Sequence, residues 1–458
     1  VPGSEYWKAR CVPVGSMWRI GLHAGCPRMR ILHVGNIANN AYNNAKFLRR
    51  KGIEADVLCY DYAHVMAQPE WEDAEFEGHP DEHAPRWEEM ELGSFRRPDW
   101  FIQGEIVPTE RRRKQLFKGQ VHVQNFSRHP SLLFWVLDTY RAGLATGSTP
   151  RPRFLDILRT YHVQKHFARW FEGYDLIQAY ATEPIHAWMF APERPYVAFE
   201  HGTMREIPFE DSARGRLLSL AYRKAGKVLI TNPDVIASAR RLGLRNFQFI
   251  PHPVDETKYC PRQSPLRAQL MHRHQAGLIF LAPSRHNWDL KGNDRLLRAF
   301  ARFHRESAQN PILILCDWGQ EADRTARLVA ELGLQARVVW TPPLSKMKLI
   351  DHYNAADVVF DQFTIGTFGT VTPEAMACGK PVVLHFDRAV HEWCYPEMPP
   401  VLAAHTEDEI FMRMVEVGDD PGYRAAVGQA SREWVVKHHG WELVADRQIA
   451  VYRELLQR

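Results

Sequence analysis

Short runs of consecutive apolar residues alternate along this chain with longer stretches whose apolar positions recur every three or four residues. The first pattern predicts strands buried on both faces, the second amphipathic helices. Met29–Val34 (MRILHV) reads as a buried strand, Gly35-Asn36 as a turn, Asn39–Arg50 as a helix and Ala55–Cys59 as the next strand, a βαβ opening of a doubly wound domain. Gly35-Asn36-Ile37-Ala38 lacks the spacing of a dinucleotide-binding glycine fingerprint. Alternation resumes with strands at Asp175–Ala179, Tyr196–Glu200 and Lys227–Thr231 and helices at Ala213–Ala225 and Asp234–Leu242. Phe247–Tyr259 reads as a connector. A second series follows: strands at Leu278–Ala282, Ile312–Cys316, Arg337–Trp340 and Asp357–Phe360, with helices at Asn293–Arg305, Glu321–Leu334 and Lys346–Asn354. The fold class expected is α/β, with two doubly wound domains at 29–252 and 253–440.

Three segments break the pattern. Residues from Tyr60 to about Phe171 are rich in Trp, Arg, His and Pro and read as an insertion carrying helices. The spacing of Val444, Ile449, Val451, Tyr452 and Leu455 predicts a terminal helix over 441–458. Residues 1–28 show no periodicity and no signal-peptide core, and are expected to be either a disordered extension or a spurious one with Met29 as the first residue.

Composition narrows the function classes. A chain of 458 residues with 45% hydrophobic and 24% charged residues suits two globular domains with full cores. The longest apolar run, Ser131–Leu137, is too short to span a bilayer. A net charge of +4 implies no nucleic-acid partner. The seven cysteines form no C-x-x-C pair, which favours a reducing compartment and argues against zinc. His122, His129, His162 and His166 have no metal-site spacing. Arg111, Arg112, Arg113 and Lys114, followed by Phe117, form a basic–apolar patch that would either rest on anionic lipid or be a solvated helix face.

The most informative stretch is Ala356–Val383: an apolar strand, a Gly- and Thr-rich turn, a helix opening near Thr372-Pro373-Glu374, and a second strand after Gly379-Lys380. Small turn residues let a ligand approach the backbone, and a helix start exposes unpaired N–H groups suited to phosphate. Glu374 in the first turn could accept hydrogen bonds from ribose or sugar hydroxyls. Phe368, Gly369 and the run Glu374-Ala-Met-Ala-Cys-Gly-Lys-Pro-Val-Val383 resemble the donor-binding signature of retaining glycosyltransferase family 4, also called group 1. The first Glu of that pattern falls on Gly366 and the following Gly on Thr367.

The resemblance implies the GT-B architecture, two Rossmann-like domains facing across a cleft, with the last helix crossing back onto the first domain. It implies a hexosyltransferase using a nucleotide diphosphate sugar, a glycan or lipid-linked acceptor, retention at the anomeric carbon and no metal or other cofactor. Polysaccharide biosynthesis in the cytoplasm, with contact at the inner membrane face, is the expected setting. By the same resemblance Arg285 and Lys291 neutralise the leaving diphosphate, His201 at a strand end lies by the reacting carbon, Glu374 holds the ribose, and Phe368, Gly369, Thr370 and Val371 bind donor oxygens. Each has a plainer alternative: two cations on a solvated loop, a structural histidine, a capped turn. Gly35 either admits the donor or closes a tight βα turn, Gly319 borders the base if the fold is right, and Asp361 either replaces the missing carboxylate or caps its turn. A sugar-nucleotide epimerase and a non-catalytic binder stay open as rival functions.

Overall fold

The computed structural model describes residues 29–60, 64–76, 80–104, 149–164 and 167–458. The segment before Met29 and the patch Arg111, Arg112, Arg113, Lys114 and Phe117 lie outside these residues. Among the described residues no helix is long and apolar enough to cross a membrane.

The chain forms two parallel sheets. The first has the order β3-β2-β1-β4-β5-β6-β7. Its strands are β1 (Arg30–Val34), β2 (Glu54–Cys59), β3 (Phe101–Gln103), β4 (Leu176–Tyr180), β5 (Tyr196–Glu200), β6 (Lys227–Ile230) and β7 (Phe247–Phe249). The second runs β10-β9-β8-β11-β12-β13. It contains β8 (Leu278–Ala282), β9 (Pro311–Cys316), β10 (Val338–Thr341), β11 (Val358–Phe360), β12 (Val382–Leu384) and β13 (Leu402–Ala403). Strand order reverses beside β1, against β4, and beside β8, against β11. At such reversals the crossovers leave for opposite faces and open a crevice beyond the strand carboxyl ends.

Helices cover both faces of each sheet, which is why the strands are apolar throughout. All five residues of β8 (LIFLA) are buried, as are all six of β9 (PILILC). Phe280 packs edge-on against Phe360 with ring centroids 5.1 Å apart, joining β8 to β11 across the switch point. Side chains of this size each stabilise the fold by about 1.5–3 kcal/mol when fully buried.

Three strands lie where the sequence pattern suggests none. Phe101–Gln103 forms the edge of the first sheet, so the segment Tyr60–Phe171 is partly sheet and not wholly insertion. Phe247–Phe249 pairs with β6 inside the expected connector, and Leu402–Ala403 closes the edge of the second sheet. None exceeds three residues, too short for a period to register.

The chain crosses between the sheets twice, and the crossings are hydrogen-bonded side by side. Val254 N–H donates to the His439 carbonyl (2.8 Å), and Trp441 N–H to the Val254 carbonyl (3.0 Å). Beyond this point the helix Trp441–Leu456 packs on the first sheet, burying Val444, Ile449, Val451, Tyr452 and Leu455 with Ile31, Leu176 and Val197. The Tyr452 hydroxyl donates to Gln178 Oε1 (2.7 Å), and Gln448 Nε2 to Asn44 Oδ1 (3.0 Å). A Cβ at Gly226 would stand 2.8 Å from Leu455, so glycine there sets how closely the helix can approach.

Candidate active site

The loops beyond both sheets' strand ends enclose a cleft of about 380 Å³. From the first sheet it receives His201, Arg205 and Asn232, with Ala38, Met66 and Trp71. From the second it receives Ser284 and Arg285 beyond β8, Lys291, Trp318 beyond β9, and Asp361 to Val371 in part. A smaller cavity of about 40 Å³ shares Ala38, Met66, Trp71, His252, Lys346 and Thr370 with it.

Lys291 ends the four-residue helix Trp288–Lys291, which Asn287 caps by accepting Leu290 N–H (3.0 Å). Gly292 then takes a left-handed turn (φ 66°), and the helix Asn293–Glu306 starts in a new direction. A Cβ at Gly292 would meet Phe363 at 3.0 Å, so this turn sits tightly against the β11 loop. Phe363 N–H donates to the Lys291 carbonyl (2.9 Å), and Lys291 Nζ donates to Gln362 Oε1 (3.0 Å). Arg285 lies over the Trp318 ring (5.8 Å) and 4.0 Å from Glu82, leaving half of its side chain exposed. Arg285 and Lys291 therefore line one cleft, at the switch point of the second sheet.

The turn after β11 supplies Phe368, Gly369, Thr370 and Val371 to the same cleft. Phe368 is anchored by near-parallel packing on His391 (5.4 Å), while a Cβ at Gly369 would meet open space. Asp361 is buried. It accepts from Ser284 Oγ (3.1 Å) and Thr372 Oγ1 (2.8 Å), fastening the β8 loop to the helix Val371–Ala377. Both its oxygens are engaged in bracing loops, as the turn-capping alternative has it. Gly366 has φ 77°, and a Cβ there would stand 3.1 Å from Asp387 and 3.3 Å from His385. A glutamate in its place would be strained and crowded.

Glu374 lines the small cavity, not the larger cleft. Its carboxylate accepts from Lys346 Nζ (2.5 Å) and the Tyr353 hydroxyl (3.1 Å). Burial raises its pKa and Lys346 opposes the rise. Lys346 lines both spaces, so the carboxylate reaches the cleft through a lysine. Nothing in the residues around Lys346 marked it beforehand beyond the helix expected from it to Asn354; the cap at Ser345 appears only in the structure.

On the opposite wall His201 follows β5 and packs edge-on against His252 (5.3 Å). Burial, then the Arg205 guanidinium, lowers its pKa from 6.5 to about 4, so the imidazole is neutral at physiological pH. Arg205 is itself engaged by Asp234 through two bonds of 2.6 and 2.9 Å. Glu200, which precedes His201, is fully buried and absent from the cleft lining; it accepts Gly202 N–H and Nδ2 of the lining residue Asn232 (3.2 Å). Burial raises its pKa to about 7.

Two glycines expected at the donor are absent from the linings of both cavities. Gly35 is absent from both linings; it is left-handed (φ 84°), and a Cβ would meet Glu183 at 2.9 Å. It serves the βα turn, and Ala38 of the next turn reaches the cleft instead. Gly319 (φ 103°) packs on the His286 backbone, 2.5 Å from where a Cβ would sit, and its neighbour Trp318 faces the cleft. Asn36, Asn39, Asn40, Asn43 and Asn44 crowd the start of the first helix, and two of them brace the interior: Asn36 accepts Tyr42 N–H (2.9 Å) and donates to the Ala67 carbonyl (2.8 Å), and Asn44 donates to the Tyr180 hydroxyl (2.9 Å). Asn39, the residue at the N-cap position, makes no side-chain cap.

Residues 273–394, which include Arg285, Lys291 and the 361–371 turn, match the family described as Glycosyl transferases group 1. Two parallel α/β domains with such a cleft have the GT-B architecture. The model superimposes on sucrose-phosphate synthase from Thermosynechococcus elongatus with a TM-score of 0.60 at 19% identity, covering 94% of this chain and 100% of that one. It superimposes on the Anabaena protein HepE in complex with UDP and glucose with a TM-score of 0.60 at 16% identity, covering 93% and 100%. A D-inositol 3-phosphate glycosyltransferase of Kribbella flavida is 31% identical over 176 residues, 36% of this chain and 41% of that protein. The chain spans about two fifths of the length of the curated relatives it matches first, at 41% and 38%.

Proposed function

We propose that this protein is a glycosyltransferase that moves a sugar, of hexose type, from a nucleoside diphosphate sugar to an acceptor hydroxyl. The observation that carries the reading is the joint placement of Arg285 and Lys291 on one cleft at the switch point, inside the stretch that matches group 1 glycosyltransferases. Breaking a glycosyl–diphosphate bond builds negative charge on the departing phosphate. Cations already in place stabilise that charge without reorganising. An arginine fork and a lysine ammonium suit phosphate oxygens, and they supply charge that a metal would otherwise bring. The neutral His201 on the facing wall lies by the sugar in this reading, offering a hydrogen bond without adding positive charge beside an oxocarbenium-like centre. Thr370 and Val371 open the short helix ahead of Glu374, where free N–H groups meet donor oxygens.

The fold of HepE, seen with UDP and glucose, supports a nucleotide-sugar donor, and retention at the anomeric carbon follows from the family resemblance. Glu374 holds the ribose only if the nucleotide shares or displaces Lys346.

The test is nucleotide release from a panel of UDP-, GDP- and ADP-sugars, with and without saccharide acceptors. Acceptor-dependent release supports transfer. Isomerised or free sugar without acceptor supports an epimerase, and binding with no turnover supports a non-catalytic binder; either result removes the proposal.

A further inference from the structure

We infer that Gln362 is a positioning residue that aims Lys291 into the cleft through a neutral hydrogen-bond acceptor, so that no carboxylate takes the ammonium's protons. The inference rests on the reading of Lys291 as the ammonium facing the leaving diphosphate. Gln362 follows β11 and is 3% exposed. Its Oε1 accepts Lys291 Nζ at 3.0 Å, and its Nε2 donates to the Thr367 carbonyl. The amide can sit only one way round. Flipped, its NH₂ would face an ammonium and its oxygen would face a carbonyl, both repulsive. The turn that brings Thr367 back to Gln362 passes through the left-handed Gly366, where the glycosyltransferase signature has its first glutamate. The backbone repeats the tie, because Phe363 N–H donates to the Lys291 carbonyl (2.9 Å).

The charge balance makes the choice of an amide consequential. Asp361, the nearest carboxylate, is 4.0 Å from Lys291 Nζ, and its oxygens accept from Ser284 and Thr372. Lys291 is thus held in place by a neutral acceptor. A carboxylate at 362 would form a charge-assisted pair with it and compete with phosphate oxygens for the same protons. Of the other three Lys and Arg side chains lining the cleft, two differ: Lys346 is paired with Glu374 at 2.5 Å and Arg205 with Asp234 at 2.6 Å. Arg285 lies 4.0 Å from Glu82 and half exposed. Gln362 therefore keeps available, at a fixed position, charge that a carboxylate partner would cancel.

The experiment compares Gln362→Glu, Gln362→Met and Lys291→Ala with the parent protein. Binding of UDP, GDP and ADP, and of the matching nucleosides, is measured by calorimetry, and donor kinetics are followed across pH. Gln362→Glu is expected to weaken the best-bound nucleoside diphosphate about tenfold or more, with nucleoside binding unchanged. Its kcat/KM should recover toward the parent value as pH falls and the new carboxyl protonates, a rise the parent does not show. Gln362→Met keeps the lysine charge and loses its aim, so kcat should fall more than donor KM changes. Parent-like diphosphate affinity and parent-like pH dependence in Gln362→Glu would overturn the inference while Lys291→Ala still loses affinity. Unchanged affinity in Lys291→Ala would remove the reading of Lys291 itself, and the role of Gln362 with it. If Gln362→Glu does not fold, the kcat-against-KM split in Gln362→Met decides.

Discussion

The two walls of the cleft differ in the positive charge they leave accessible. On the first-sheet wall, the histidines are held neutral: burial keeps His201 near a pKa of about 4 and drives His252 well below 6.5. Arg205, the cation of that wall, is spent on Asp234. On the second-sheet wall Lys346 is likewise paired, with Glu374, but Arg285 sits half exposed over Trp318 and Lys291 is held by an amide. The difference teaches where the proposed reaction divides. Charge that appears on a leaving phosphate needs fixed cations, while the carbon it departs from needs polar groups that add no positive charge.

The comparison breaks most sharply at Lys291. Lys291→Ala should lower kcat/KM for the donor by about 10²–10³-fold, with acceptor KM unchanged, in steady-state assays; a parent-like value would take Lys291 out of the mechanism. His201→Ala should cost less, about 10–100-fold in kcat, the worth of one hydrogen bond to a charged centre. In the parent the acid limb due to His201 should lie near pH 4, not 6.5, because its imidazole is held neutral until then. A limb at 6.5 that vanishes in His201→Ala would contradict that.

Restoring the family glutamate should not improve the second wall. Gly366→Glu places a side chain at φ 77° against Asp387 and His385 and should destabilise the protein by about 1–2 kcal/mol, read as a lower urea midpoint. A last test concerns Glu200. Its carboxyl is raised from 4.5 to about 7 in the fold, so the stability it contributes is complete below pH 4.5 and lost as pH rises through about 7. Gln in its place cannot ionise, so the Tm of Glu200→Gln relative to the parent should climb across that interval. A constant difference would mean Glu200 is not shifted.

Legibility followed the length of the signal. Strands such as Tyr196–Glu200 and Leu278–Ala282 were readable because parallel strands buried on both faces are unbroken apolar runs. Phe101–Gln103 and Leu402–Ala403 were not, since two or three residues carry no period and owe their state to the neighbouring strand. Within the site, Arg285 and Lys291 were singled out through the family resemblance; their place after β8 alone left a solvated loop open. Glycine proved ambiguous: Gly35 and Gly319 have the left-handed backbone that glycine suggests, yet they serve turn closure and backbone packing and do not themselves line the cleft. Lys346, Gln362 and Trp318 carried no local mark, because what distinguishes them is a partner or a cavity reached through another loop.

By itself the sequence determined the succession of strands and helices, the two doubly wound units, and the turn between Phe360 and Val371, because hydrophobic period, turn chemistry and helix capping are local properties of the chain. The tertiary structure alone decided which charges remain free. Whether Lys291 meets an amide, Lys346 a carboxylate or His201 a desolvating wall depends on loops that crossovers bring together from distant parts of the chain, and on burial that no local pattern encodes.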